Sequence, residues 1–204
     1  MKQKILIATT NTGKFNEIME VLDEASIYFE FLSLKDVDIK DQPKEDGDSY
    51  LANARIKAEF YNALSGLPTI AEDSGIEVEA LKGKLGMHTR RWGAGENASD
   101  ETWVEYFLKT MAEHEDKRAS FKCTAFYIDK SGISHHFQGE CRGVITGTVE
   151  APILAGIPLS SCFKAHTCDK VYAALQNEEK NKLSHRGKAM KKLLEHLQSN
   201  TISI

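Results

Sequence analysis

Thr69-Ile70-Ala71-Glu72-Asp73-Ser74-Gly75-Ile76-Glu77-Val78 is the stretch whose reading decides the rest of the chain. A short apolar run leads into two adjacent carboxylates, a hydroxyl and a glycine, and a second β-type run follows. This reads as a strand ending on an acidic turn, with Gly75 supplying backbone freedom. Carboxylates at a strand end suit a hard cation, because Mg²⁺ prefers carboxylate oxygens and keeps several waters. A solvated acidic turn has the same pattern, so the neighbouring stretches must discriminate.

Upstream, Ile5-Leu6-Ile7-Ala8 is a consecutive apolar run that predicts a buried strand over Lys4 to Thr9. It feeds Thr9-Thr10-Asn11-Thr12-Gly13-Lys14. Phe15, Ile18, Met19 and Leu22 then recur at helical spacing. A strand, a polar glycine loop and a helix start can hold a phosphate, because backbone N–H groups and the helix dipole point at it. Plain capping by Thr or Asn explains the same residues, and the spacing is not that of a Walker A loop. Ile27 to Leu34 predicts a second strand. The polar connection from Lys35 to Asp48, marked as a loop by Pro43 and Gly47, carries a second acidic turn at Glu45-Asp46-Gly47. A helix from Ser49 to about Leu64 follows, ended by Gly66 and Pro68.

Downstream, Gly83, Gly86, Arg90, Arg91, Trp92, Gly93 and Gly95 form a glycine-rich basic stretch. It suits an anion, since arginine presents a planar donor fork, although a flexible surface loop has the same composition. Asp100 to His114 predicts a helix buried through Trp103, Val104, Phe107, Leu108 and Met111. Ala119 to Asp129 alternates as a strand and turns at Lys130-Ser131-Gly132. One or two further strands between His135 and Val149 complete a hairpin or meander. His135 and His136 are adjacent, point to opposite faces of a strand, and read as surface or edge residues. Pro152, Gly156 and Pro158 break up Ala151 to Lys170. A short helix is expected near Asp169 to Leu175. The final helix starts after Asn177, preceded or interrupted by Ser184-His185-Arg186-Gly187. Strands alternating with helices, then a meander, predict an α/β protein with a mixed sheet.

The chain has 204 residues, 41% hydrophobic and 27% charged, with a net charge of -4. That is enough for one domain or two closely joined lobes. The acidic balance argues against a general nucleic-acid or membrane-surface binder. No apolar run reaches the length of a membrane span, and the one after Lys4 is too short for a signal peptide. A cytoplasmic setting is therefore expected. Cys123, Cys141, Cys162 and Cys168 form no C-x-x-C pair, which argues against zinc and for reduced packing residues. Two acidic turns, a phosphate-type loop, an arginine loop and a late Ser-His-Arg form a kit for a polyphosphate and its Mg²⁺. Residue chemistry alone therefore reads as nucleotide polyphosphate hydrolysis or transfer.

Four motifs then carry a resemblance. Thr9 to Lys14 is similar to [ST]-x-N-x-x-K; Glu45 to Tyr50 with Asn53-Ala54 is similar to E-x-G-x-[ST]-[FY]-x-x-N-A. Ala71 to Val78 resembles A-[DE]-D-S-G-L-x-V, and Ser184 to Gly187 matches S-H-R-G. In this order, spanning nearly the whole chain, they resemble the inosine triphosphate pyrophosphatase family, which acts on nonstandard purine nucleoside triphosphates. The resemblance implies an α/β fold with an elongated mixed β-sheet flanked by helices. It implies a single domain over residues 1–204, two lobes with a central cleft, and a homodimer. It implies attack of water on the α-phosphorus, giving a nucleoside monophosphate and pyrophosphate. Glu45 and Asp73 are the implied Mg²⁺ ligands, Asp73 also activates water, and Glu72 is a secondary acid. Thr9, Asn11, Lys14, Ser74, Arg91 and Lys180 are implied to hold substrate, with His185 and Arg186 on the base or phosphates. No nucleic acid or membrane is an expected partner.

The family's G-[FY]-G-[YW]-D-P-x-F stretch, which stacks on and reads the base, departs here. Its place is taken by Gly156-Ile157-Pro158-Leu159-Ser160-Ser161-Cys162-Phe163, with Ile157 for the ring and Ser160 for the acid. Stacking on an aromatic contributes roughly 1–3 kcal/mol per base, so an altered base preference is expected. Three readings remain: a triphosphate pyrophosphatase with changed base preference, an enzyme for another diphosphate-containing substrate, and a nucleotide-binding protein of this fold that has lost or changed its activity.

Overall fold

In the computed structural model, which describes residues 2–95 and 97–201, the first strand shows why its apolar run is unbroken. β1 (Gln3–Ile7) is covered on both faces. Ile5 and Ile7 join one apolar cluster with α1 (Thr12–Leu22) and α5 (His185–Thr201). Leu6 joins another beneath α2 (Tyr50–Ser65). Side chains alternate along a strand, so burial on two faces demands consecutive apolar residues.

β1 pairs in parallel with β2 (Phe29–Ser33) on one side and β3 (Thr69–Val78) on the other. From β3 the sheet continues antiparallel through β4 (Arg118–Ile128), β5 (Ser134–Ile145) and β6 (Phe163–Ala165). The six strands lie in the order β2-β1-β3-β4-β5-β6, a mixed sheet with helices against it, as expected. A third cluster packs α3 (Asp100–Ala112) through Trp103, Phe107 and Met111 against the far ends of β3 and β4 and against Phe163 and Tyr172. α4 (Asn177–Leu183) is separated from α5 by Ser184, whose extended backbone breaks the helix.

Local chemistry sets the helix starts. Asn11 caps α1, Ser49 caps α2 and Ser99 caps α3, each by accepting a backbone N–H of the first turn. Gly66 ends α2 in the left-handed conformation at φ 67°.

Two expectations need correction. The acidic stretch is not a turn at the end of a strand. β3 runs unbroken for 10 residues, and every one pairs with β4, from Thr69 opposite Ile128 to Val78 opposite Ala119. Gly75 serves close approach rather than a turn: a Cβ there would collide with the carbonyl oxygen of Gly86, whose N–H donates to Ile76 at 2.8 Å. Of the one or two strands expected between His135 and Val149 there is one, β5, within the expectation. The short helix expected before the last one is a single 3-10 turn at Tyr172–Ala174.

His135 lies beside His196, with ring centroids 4.2 Å apart, and His136 is exposed. All four cysteines are free, three of them buried. No helix among the described residues is long and apolar enough to cross a membrane.

The backbone approach at Gly75 has a measurable consequence. Gly75→Ala forces the Gly86 segment away and is expected to destabilise the fold by about 1–3 kcal/mol, as overpacking generally does. An unchanged urea midpoint for this variant would show that the Gly86 contact does not constrain β3.

Candidate functional site

The parallel register of β1 and β3 sets Leu6 opposite Thr69 and Ile7 opposite Ile70, and Ala8 donates its N–H to Ile70 at 2.7 Å. The loop leaving β1, Thr9 to Lys14, therefore stands directly beside Ala71 to Ser74. Between this junction and the far half of the sheet lies a cleft of about 690 Å³. Thr9, Asn11 and Lys14 line it from the β1–α1 loop, Asp73 and Ser74 from β3. Glu45 enters from the loop before α2, Arg91 from the 3-10 turn Thr89–Arg91, and His185 and Arg186 from the start of α5. Two of the candidate residues are not on its lining. Glu72 lies beneath the floor, and Lys180 is buried in α4, held by Glu17 at 3.2 Å and Glu20 at 3.8 Å.

Strand alternation separates the two adjacent acids. Glu72 and Ser74 face α1 and α5; Asp73 faces α2. The Glu72 side chain is fully buried. Lys14 Nζ reaches it at 2.7 Å, an Arg186 Nη lies at 3.6 Å, and Cys123 Sγ donates at 3.3 Å. Burial opposes its charge, but Lys14, then Arg186 and Lys57, outweigh burial and hold Glu72 well below the usual carboxylate range. Glu72 is thus a fixed anion. Arg186 is itself buried. It pairs with Glu17 and donates to Ser74 Oγ at 2.9 Å, and its neighbouring anions keep it charged against the cost of burial. His185 stacks on Phe121, centroids 4.6 Å apart and planes 15° from parallel. Burial, then the adjacent Arg186, lowers its pKa far enough to keep it neutral. Among the described residues, His185 Nδ1 and Arg186 Nε are buried without a hydrogen-bond partner.

On the α2 face, Asn53 and Lys57, one helical turn apart, both reach Asp73. Asn53 Nδ2 donates at 3.2 Å, and its Oδ1 accepts from Gly47 N at 2.9 Å, so it ties the Glu45 loop to the strand. Lys57 Nζ lies 2.8 Å from Glu45 and 3.4 Å from Asp73. Burial raises the Asp73 pKa, more than Lys57 and Lys14 lower it. Among the described residues no three His, Cys, Asp or Glu side chains gather as a metal site. Two carboxylates nevertheless converge on one cation, the Lys57 ammonium. That donor set fits Mg²⁺, which is commonly bound through one or two carboxylates plus substrate phosphates and waters.

Sequence reasoning missed Lys57, Asn53 and Glu17 as parts of this site. Asn53 stands in the motif that begins at Glu45 but carried no role there, and its i, i+4 spacing to Lys57 is the further signal, since such a pair shares a helix face. The substituted stretch, Gly156 to Ser160, does form a wall of the cleft. Ile157, Pro158 and Leu159 present apolar surface there, and Ser160 Oγ turns back to donate to Ile157 O at 2.7 Å.

A family model described as the Ham1 family matches residues 5–196. The chain is 36% identical over 196 residues to a dITP/XTP pyrophosphatase of Geobacter sulfurreducens, covering 95% of this chain and 96% of that one. It is 32% identical over 199 residues to a dITP/XTP pyrophosphatase of Leptospira interrogans, covering 98% and 99%. Among solved structures, the Staphylococcus aureus Ham1 protein superposes with a TM-score of 0.80 at 29% identity, covering 97% of this chain and 100% of that one.

The two acids are expected to matter very differently to stability. Glu72→Gln leaves Lys14 without its buried counter-ion, removes one of the two anions beside Arg186, and is expected to cost about 3 kcal/mol or more. Asp73→Asn, where burial already disfavours the charge and Lys57 keeps Glu45, is expected to stay within about 1 kcal/mol of the parent. Urea denaturation near neutral pH measures both. Because the folded pKa of Glu72 lies below its unfolded value, its contribution is full above the ordinary glutamate range. It is lost as pH falls through the folded value, so the gap between parent and Glu72→Gln narrows on acidification.

Proposed function

The chain belongs to the Ham1 family, and we propose that it is a nucleoside triphosphate pyrophosphatase that hydrolyses nonstandard purine nucleoside triphosphates to the monophosphate and pyrophosphate. One observation carries the reading: Glu45 and Asp73, 28 residues apart in sequence, converge on a single cation beside the β1–α1 loop. That arrangement supports a centre where a dication and a polyphosphate meet.

Glu45 and Asp73 would hold the Mg²⁺, which when bound would supply charge neutralisation for the polyphosphate. Asp73 takes the proton of the attacking water. Asn53 fixes the carboxylate's orientation. Water attacks the α-phosphorus, the bond to the bridging oxygen breaks, and the pair of electrons leaves with pyrophosphate. Lys14 and Arg91 neutralise the departing charge, and Thr9, Asn11 and Ser74 orient the phosphates. Glu72 does not touch substrate; it holds Lys14 and Arg186 in place. His185 and Arg186, on the cleft lining, serve the base or the phosphates. Lys180 acts indirectly, by pairing with the Glu17 that also pairs with Arg186.

The apolar wall at Ile157 to Leu159 contacts the base in place of an aromatic ring. It supports a weaker and broader base preference. Continuity of the sheet through all six strands supports one domain of two lobes. A homodimer and a cytoplasmic setting belong to the same reading. The wall without a ring also favours the second reading, a nucleotide-binding protein without turnover.

A panel of inosine, xanthosine and standard triphosphates with Mg²⁺ tests the proposal. Monophosphate and pyrophosphate are the expected products, with turnover abolished by EDTA. Asp73→Asn is expected to lower kcat by about 10²-fold or more while nucleotide binding persists. Diphosphate plus phosphate as products, or silence across the panel with binding retained, would sink the pyrophosphatase reading.

A further inference from the structure

The base-side wall is not attached where its own sequence neighbours lie. Gly156 sits at φ 76°, a left-handed conformation that suits glycine, at the entrance to the wall. Its N–H donates to Asp100 Oδ2 at 2.7 Å, and its carbonyl accepts from Asn11 Nδ2 at 2.9 Å. Asp100 is the first residue of α3, capped by Ser99. Its other oxygen, Oδ1, pairs with Arg90 at 3.4 Å, and Arg90 in turn donates to Ala98 O at 2.5 Å. Asn11 caps α1 through Oδ1. A continuous line of contacts therefore runs around the cleft mouth from the phosphate-type loop, through the wall, to the arginine turn.

We infer that Asp100 is a positioning residue for the reaction: it clamps the Gly156 strap to the arginine turn, and so sets the depth of the cleft between base wall and acids. Asp100 lies on the cleft lining, but its two oxygens are engaged by protein groups. It acts through what it holds. The strap and the arginine turn lie more than 60 residues apart in sequence and approach through this carboxylate. Without it the wall keeps its contact with Asn11 and the packing of Leu159 against α3, and its entrance at Gly156 loses its hydrogen bond to α3. A nucleotide must then order the strap itself on binding, a cost that falls on affinity more than on the chemical step. The inference rests on the pyrophosphatase reading for its kinetic form and on the contacts alone for its structural form.

Three variants separate the arms. Asp100→Ala removes both contacts. Asp100→Asn keeps an oxygen for the Gly156 N–H and loses the charge that holds Arg90. Gly156→Ala leaves Asp100 intact but presses a Cβ onto the Asn11 side chain at a strained φ. KM for the best triphosphate is expected to rise about fivefold or more in Asp100→Ala and Gly156→Ala, with kcat changed by less than about threefold, and Asp100→Asn, which keeps only the Gly156 end of the clamp, is expected to fall between the parent and Asp100→Ala. In the nucleotide-free protein, amide exchange at Gly156 is expected to be slow in the parent and in Asp100→Asn, and at least about tenfold faster in Asp100→Ala. Unchanged KM in either Asp100→Ala or Gly156→Ala overturns the proposal, as does unchanged exchange at Gly156 in Asp100→Ala. A parent that turns over no triphosphate defeats the functional reading instead, and the exchange comparison still decides whether Asp100 holds the strap.

Discussion

The burial of one carboxylate, Glu72, constrains much of this structure. A charged group in the middle of a central strand is tolerated when it is paired and hydrogen-bonded. Here the partners come from both ends of the chain: Lys14 from α1 and Arg186 from α5. Arg186 needs a further anion and finds it in Glu17, back on α1, and Glu17 also accepts Lys180 from α4. Each pairing creates the need for the next. The result ties the amino-terminal helix, the acidic strand and both carboxy-terminal helices into one network under the cleft. The network holds Lys14 and Arg186 at a place where an anion can approach.

The second constraint is strand alternation. Glu72 and Asp73 are adjacent and chemically alike, yet they are turned to opposite faces and meet different surroundings. Glu72 meets two cations and becomes a fixed anion. Asp73 meets Asn53 and a lysine shared with Glu45, and burial moves its pKa upward. Two carboxylates pushed apart in acidity by their surroundings are a common way for a site to divide structural from chemical duty. An acidic turn at a strand end, had it formed, would have left both acids in solvent with little to distinguish them. Continuation of β3 through Gly75, made possible by the absence of a side chain where Gly86 crosses, is therefore tied to the chemistry.

The cleft's two halves are built differently. The phosphate side is gripped by short, buried ion pairs. The base side is an apolar strap on a 3-10 turn, held at its entrance by hydrogen bonds from Asn11 and to Asp100 near the surface. Such contacts are individually weak. A site organised this way can hold its phosphate geometry while the wall beside the base tolerates substitution. That matches the sequence, in which the phosphate and acid motifs are intact and the wall stretch has diverged.

The sequence by itself determined the order of strands and helices, the mixed α/β class, and ten of the residues that line or underlie the cleft. Elements and class follow from apolar periodicity and capping, which are local properties legible within a dozen residues, whereas the ten cleft residues follow from the motifs that resemble the family's. Gly156 to Phe163 is legible as a departure from the family's base-reading stretch, but only the fold makes its first half a wall of the cleft. Whether β3 turned or ran on was not legible, because Gly75 serves both cases and the deciding atom, the Gly86 carbonyl, is brought there by the fold. Lys57 and Glu17 read as ordinary helix-surface charges; they become part of the site through partners supplied by β3 and α5. Lys180, adjacent in sequence to the Ser-His-Arg motif, is turned into α1 and away from the cleft. Tertiary structure decided which face each charge presents and which opposite charge it meets, because electrostatic pairing depends on separation in space and the chain's own order carries no record of that distance.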